Sequence, residues 1–257
     1  MELLERDEAL AELHRQFERS ATHGRLVVVS GEAGIGKTAL ISRFLGECLP
    51  TPVVLWGACD PLHTPRPLGP IRDAARDAGG RLATALAEDA PREVVFESVL
   101  DCLGQRPQRV LVVEDAHWAD EASLDLLVWL GRRLEAIAGL ILITYREDDP
   151  AAGAISRVLG HVPARYVARV PLEPLSPAAV ARLAAASGRP PEQLHALTGG
   201  NPFFLTEVLA GPGGAVPVTV RERSIRRAFD RIVADYHEGG GLELPVSVKI
   251  AAGRKPA

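Results

Sequence analysis

The sequence predicts an α/β fold: a parallel five-stranded sheet flanked by helices, with a small helical lid after it. Three observations carry that expectation. The stretch Gly31-Glu32-Ala33-Gly34-Ile35-Gly36-Lys37-Thr38 fits G-x-x-x-x-G-K-[ST] at every fixed position, with an apolar run before it and helical spacing after it. Four more short apolar runs recur along the chain, separated by segments with helical periodicity, as a parallel sheet requires. Past residue 172 the pattern changes to short helices punctuated by Gly and Pro, which reads as the lid.

In chain order, residues 2–19 read as an amphipathic helix, with Leu3, Leu10, Leu13 and Phe17 on or near one face. Residues 25–30 form a strand into the glycine-rich loop, and 39–45 a helix out of it. Pro50 and Pro52 break the chain before a second strand at 53–57. Residues 59–70 are Pro-rich and lack periodicity, a loop leading to a helix near 68–78 and another over 92–103. Residues 109–115, Arg-Val-Leu-Val-Val-Glu-Asp, have the apolar character of a strand covered on both faces. A helix with an acidic first turn covers 120–130, a buried strand 139–146, and a fifth, shorter strand 166–171. Ser176 and Pro177 are a good cap and first position for a helix at 177–186, which Gly188 and Pro190 end. Residues 191–197 make a further helical turn or two. Thr198-Gly-Gly-Asn-Pro202 is a sharp turn, and 203–209 a third helix closed by Gly211-Pro-Gly-Gly214. The expected organisation is a nucleotide-binding domain over 1–172, a helical lid over 173–211, and an atypical tail over 212–257, either unrelated or partly disordered. In that tail, 220–235 reads as an Arg-rich helix diluted by Glu222, Asp230 and Asp235, hence a solvated face. A Gly-Gly-Gly break at 239–241 and a strand at 242–250 complete it.

The loop pattern dictates a chemistry. Gly31, Gly34 and Gly36 let the backbone of Glu32, Ala33, Ile35 and their neighbours up to Ala39 turn N–H groups inward on a phosphate chain, at the positive end of the following helix. Lys37 is placed to reach the β- and γ-phosphates, and the Thr38 hydroxyl to ligate Mg²⁺. Ligands of such sheets collect at the carboxyl ends of strands, where Glu114 and Asp115 fall. Glu114 then takes an outer-sphere metal role and Asp115 orients or deprotonates the attacking water; the alternative is that both cap the helix beginning near Asp120. Thr144 and Arg146 point into the same crevice, where Arg146 would sense the γ-phosphate; alternatively, Arg146 pairs with Glu147 or Asp148 on the surface.

Four segments stand out together: Leu4-Glu-Arg-Asp-Glu-Ala-Leu10, the phosphate loop, Val112-Val-Glu-Asp-Ala-His-Trp-Ala-Asp120 and Gly199-Gly-Asn-Pro-Phe-Phe204. With them the chain resembles the ATPase domain of large bacterial LuxR-type transcriptional regulators, within the STAND group of AAA-like, origin-recognition-like P-loop NTPases. The resemblance runs from about Leu4 to Gly211. It implies a five-stranded parallel sheet and helical lid with nucleotide between them, Arg6 near the adenine, Arg146 as first sensor, and Pro202 packed on the adenine. Two positions depart: the opening motif usually has Gly at Glu5, and the first acid, here Glu114, is often Asp. The resemblance further implies a winged-helix segment, a repeat array and a DNA-binding helix-turn-helix, for which nothing after Gly214 offers room. The tail resembles the C-terminal end of class I methyltransferases, but no S-adenosylmethionine-binding glycine motif precedes it, so no methyltransferase activity is expected.

Composition fits an ordinary globular protein, 47% hydrophobic and 24% charged. A formal net charge of −4 argues against global attraction to nucleic acid or acidic membranes. No apolar run is long enough to span a bilayer, and the acidic N-terminus lacks signal-peptide order, so a cytoplasmic location is expected. Cys48, Cys59 and Cys102 are widely spaced and read as buried free thiols. The expected function is an ATP-binding switch module of a signal-responsive regulator, without its DNA-binding domain, using ATP and Mg²⁺ and slowly hydrolysing ATP to ADP and phosphate. Its expected partners are ATP and either a regulatory protein or a second copy, without sequence-specific DNA binding. A non-catalytic nucleotide-binding remnant is the alternative, followed by a small-molecule kinase, against which the His117-Trp118-Ala119-Asp120 segment and the lid turn argue.

Overall fold

The computed structural model describes residues 3–185 and 187–210; the expectations for 211–257, including the helix at 220–235 and the strand at 242–250, lie outside the described residues. Five strands form the sheet: β1 (Arg25–Ser30), β2 (Val53–Ala58), β3 (Arg109–Glu114), β4 (Gly139–Tyr145) and β5 (Val167–Pro171). Their order is β2-β3-β4-β1-β5 and every pairing is parallel. The expected α/β architecture is therefore present. Along β1 the side chains alternate, Leu26 and Val28 joining one apolar cluster and Val27 and Val29 the other, because successive residues face opposite sides of a pleated strand. All seven residues of β4 are buried, as a central strand covered on both faces demands.

One face is covered by α1 (Asp7–Arg19) and α2 (Lys37–Glu47), with Leu13, Phe17, Leu40 and Phe44 in its cluster. The other face takes α3 (Gly69–Ala78), α4 (Gly80–Ala87), α5 (Arg92–Leu103), α6 (Glu121–Gly131) and α7 (Gly153–Gly160). Helix α3 presses closely on β2: a Cβ added at Gly57 would stand 1.8 Å from the Pro70 carbonyl oxygen. Three helices follow the sheet, α8 (Pro177–Ala184), α9 (Pro191–Thr198) and α10 (Pro202–Ala210). Their core is a separate cluster of Leu175, Val180, Leu194, Leu205 and Val208, and Leu4 from the N-terminus is buried in it.

Several boundaries correct the sequence expectations. The first helix starts at Asp7 rather than near residue 2, because Leu4–Arg6 turns away to the helical cluster, with Glu5 at a φ of 55°. Helices α4 and α7 went unread; Gly79-Gly80 and Pro150 with Gly153 look like breaks, but each stands at a helix start. Helix α8 ends at Ala184. The expected cap is present, with the Ser176 hydroxyl accepting from the Ala179 N–H at 3.2 Å. All three cysteines are buried and free.

Candidate functional site

The parallel order puts the carboxyl ends of β1, β4 and β3 side by side, so Gly31, Arg146 and Asp115 emerge as neighbours. From β1 the chain passes through Gly31, Gly34 and Gly36, at φ values of 142°, 76° and 102°, before Lys37 opens α2. Lys37 is buried, and its Nζ donates to the Gly31 carbonyl at 2.8 Å and the Glu32 carbonyl at 2.9 Å. Burial pulls the ammonium's pKa below its ordinary value, while Asp115 opposes the shift. A cation so desolvated gains strongly from an anionic partner.

Glu114 ends β3 on the face of Val110 and Val112, which is the α2 side. There the Thr38 hydroxyl donates to Glu114 Oε1 at 2.5 Å, and the Trp56 indole N–H donates to Oε2 at 2.8 Å. A hydroxyl that gives its proton to a carboxylate keeps its lone pairs for a cation. Thr38 and Glu114 are hard oxygen donors of the kind Mg²⁺ takes. Among the described residues no group of three or more His, Cys, Asp or Glu could hold a metal alone.

Asp115 steps out of the strand in the left-handed region, at φ 48° and ψ 42°, and its N–H donates to the Thr144 hydroxyl at 2.9 Å. Arg146 Nε lies 3.9 Å from Asp115 Oδ1, and the guanidinium carbon sits 4.7 Å from the Trp118 ring centre. Two alternatives are thereby corrected. Helix α6 is capped by Asp120, which accepts from the Ser123 N–H at 3.0 Å, so Glu114 and Asp115 do not cap it. Arg146 turns to Asp115 and Trp118 rather than outward to Glu147 or Asp148; Glu147 instead accepts from the Tyr145 hydroxyl at 3.3 Å.

The turn at 198–202 packs on the loop. Asn201 is fully buried; its amide donates to the Ala33 carbonyl at 2.9 Å, and its Oδ1 accepts from the Phe203 N–H at 3.2 Å. The Phe203 N–H also reaches the Gly34 carbonyl at 3.2 Å, and a Cβ at Gly34 would stand 2.7 Å from that of Phe203. A cavity of about 440 Å³ results, within the range of small-ligand sites. Ala33, Gly34, Gly36, Lys37, Thr38 and Ala39 line it from the loop. Asp115, Thr144 and Arg146 line it from the strand ends, and Pro202, Phe203, Thr206 and Glu207 from α10.

Arg6 stands elsewhere. Buried, it donates to the Ile35 carbonyl at 3.2 Å and the Glu173 carbonyl at 2.9 Å, and it is not among the residues lining the cavity. Burial holds its pKa below the usual guanidinium value. Glu5 occupies a backbone conformation that favours glycine, and its carboxylate accepts from the Ser176 N–H at 2.8 Å and from the Ser176 hydroxyl. Sequence reasoning missed Asn201, Thr206 and Glu207 as site residues. Asn201 lies inside the Gly199–Phe204 motif; the other two carry no signal in the sequence.

The family profile described as the AAA ATPase domain matches residues 2–143, more than half of the chain. The chain belongs to the AAA ATPase domain family. No curated protein sequence matches it. Among solved structures this AAA domain is similar to a signal transduction ATPase with numerous domains (STAND) protein with a tetratricopeptide repeat sensor from Pyrococcus horikoshii. That likeness has 20% identity and a TM-score of 0.54, covering 88% of this chain and 32% of the other, so the chain spans about a third of that protein. It is similar to the ORC2 protein of Aeropyrum pernix, solved as ADPNP–ADP complexes, at 14% identity and TM-score 0.57 over 93% of this chain and 76% of that one. The ORC1 protein of Aeropyrum pernix, solved in complex with DNA, has 14% identity and TM-score 0.54 over 91% and 68%. At such identities the likeness is one of fold. The AAA domain is an ATPase-like nucleotide-binding module, and no helix among its described residues is long and apolar enough to cross a membrane.

Proposed function

We propose that this chain is the ATP-binding, slowly hydrolysing switch module of a signal-responsive, LuxR-type regulator acting in the cytoplasm. The observation that carries the reading is the meeting of Lys37, Thr38, Asp115, Arg146 and the Asn201–Phe203 turn around one cavity. Residues 1–172 bind the nucleotide and residues 173–211 act as its lid. The loop N–H groups, from Gly31 to Ala39, and the start of α2 receive the phosphates, and Lys37 turns to their oxygens. Thr38 and Glu114 would hold Mg²⁺, which neutralises phosphate charge and polarises the γ-phosphoryl group. Asp115 orients a water and takes its proton as the water's oxygen bonds to the γ-phosphorus. The bond to the bridging oxygen breaks, and Lys37 and Arg146 stabilise the charge that builds on ADP and phosphate. Pro202 packs on the adenine, while Arg6 acts through the Ile35 and Glu173 backbone it holds.

Fluorescent Mg-ATP binding by wild type and Lys37→Ala tests the assignment; the variant is expected to bind at least about tenfold more weakly, the loss of one charge-assisted contact or more. Equal binding would sink it. Asp115→Asn should lower turnover by about a hundredfold or more. A second reading is binding without hydrolysis, in which Arg146, its Nε 3.9 Å from Asp115 Oδ1, occupies the carboxylate that would otherwise orient the water. Turnover equal in wild type and Asp115→Asn would select that reading. Partners are a regulatory protein or a second copy. Sequence-specific DNA binding is not assigned to this chain, given its net charge of −4, and a salt titration with duplex DNA should find only weak association.

A further inference from the structure

Trp56 is a half-buried residue of β2, at the edge of the sheet, outside the loop and the strand ends that form the cavity. Strand register explains its reach. Trp56 pairs with Val112 and Ala58 with Glu114, so period-two alternation puts Trp56 and Glu114 on one face as diagonal neighbours. A diagonal of that kind is spanned by a large aromatic side chain, and the indole N–H reaches Glu114 Oε2 at 2.8 Å. Glu114 is also the more mobile of the two acids by chemistry, since glutamate has one more rotatable bond than aspartate and more rotamer freedom to lose. One of its oxygens already accepts from Thr38, whose hydroxyl is a metal donor in its own right. The other is fixed by the indole alone among the described contacts.

We propose that Trp56 is a positioning residue that pins the Glu114 carboxylate beside Thr38 and thereby sets the Mg²⁺ dependence of nucleotide binding. This rests on the nucleotide-binding reading above. Trp56 does not line the cavity. It acts by holding an acid whose length would otherwise let it swing from the ion's position. The pin suits a glutamate: a carboxylate drawn back by one methylene would no longer meet the indole N–H.

The test compares fluorescent ATP binding with EDTA and with excess Mg²⁺, for wild type, Trp56→Phe, Glu114→Asp and the double variant. Trp56→Phe keeps an aromatic side chain and removes the donor. It should leave binding in EDTA unchanged and reduce the Mg²⁺ enhancement by about ten- to a hundredfold, as loss of a hydrogen bond to a charged group would. In the Glu114→Asp background the same substitution should change the enhancement less than twofold. A Trp56→Phe protein with the wild-type enhancement, or with equal loss in EDTA and in Mg²⁺, overturns the proposal. So does an undiminished effect in the Glu114→Asp background. A wild type without Mg²⁺-enhanced binding fails the underlying reading, and the Trp56 role with it. A second measurement needs no change at Trp56: of the indole N–H resonances of the three tryptophans, the Trp56 signal should move upfield in Glu114→Asp, and an unmoved signal also overturns the proposal.

Discussion

Asp115 and Glu114 are adjacent in sequence yet end in different surroundings, and the backbone makes the difference. Glu114 keeps strand geometry and so inherits the α2 face, whereas Asp115 takes the left-handed region and is turned towards Arg146. A sequence shows two acids; it does not show that one of them leaves the strand. Asn201 is legible only as turn punctuation, because its importance lies in being completely buried against a loop far away in the chain. Removing its amide leaves the half-buried Ala33 carbonyl without that donor and opens a gap at a fully buried position, so Asn201→Ala should cost about 1–3 kcal/mol in chemical denaturation. The thiols behave as the sequence suggested. Burial raises Cys48 to about 11 and Cys59 to about 12, from 9.0, with nearby carboxylates adding to the shift. A group that holds its proton longer when folded stabilises fully below its unfolded pKa and less as pH rises. Stability should therefore fall between pH 9 and 12, and Cys59→Ala should flatten that slope in urea titrations read across pH.

At the scale of elements, the strands were the most legible part of the chain. An apolar run of four to seven residues covered on both faces has few other folds open to it, and all five strands fall within a residue or two of the expected positions. Helices were legible where their starts were conventional, as at Ser176 and Asp120. They were missed in α4 and α7, which open on Gly80 and Gly153 with no side-chain cap, because a glycine that breaks a helix from within also stands at a first turn. Gly57 is the element-scale position with least tolerance. A methyl group there meets the Pro70 backbone at 1.8 Å, so β2 and α3 would have to part. Gly57→Ala should destabilise the protein by about 1–3 kcal/mol, measured by thermal unfolding, while leaving nucleotide affinity of the surviving folded fraction unchanged.

For the whole molecule, two meetings of the sheet with the three helices after it stand out among the described residues. One is the chain crossing from β5 to α8, where Glu5 holds Ser176, Arg6 holds Glu173 and Leu4 enters the helical core. The other is the contact of Asn201 and Phe203 with the backbone of Ala33 and Gly34. The first is braced by buried apolar and charged groups and by the covalent chain; the second is held by a few hydrogen bonds at the rim of the cavity. A door mounted in this way has its hinge on one side and its catch on the other. Amide exchange should accordingly be faster at Phe203 than at Ser176, and Asn201→Ala should widen that gap. Glu5→Gly, which relieves the backbone but frees the jamb, should quicken exchange at Ser176 instead.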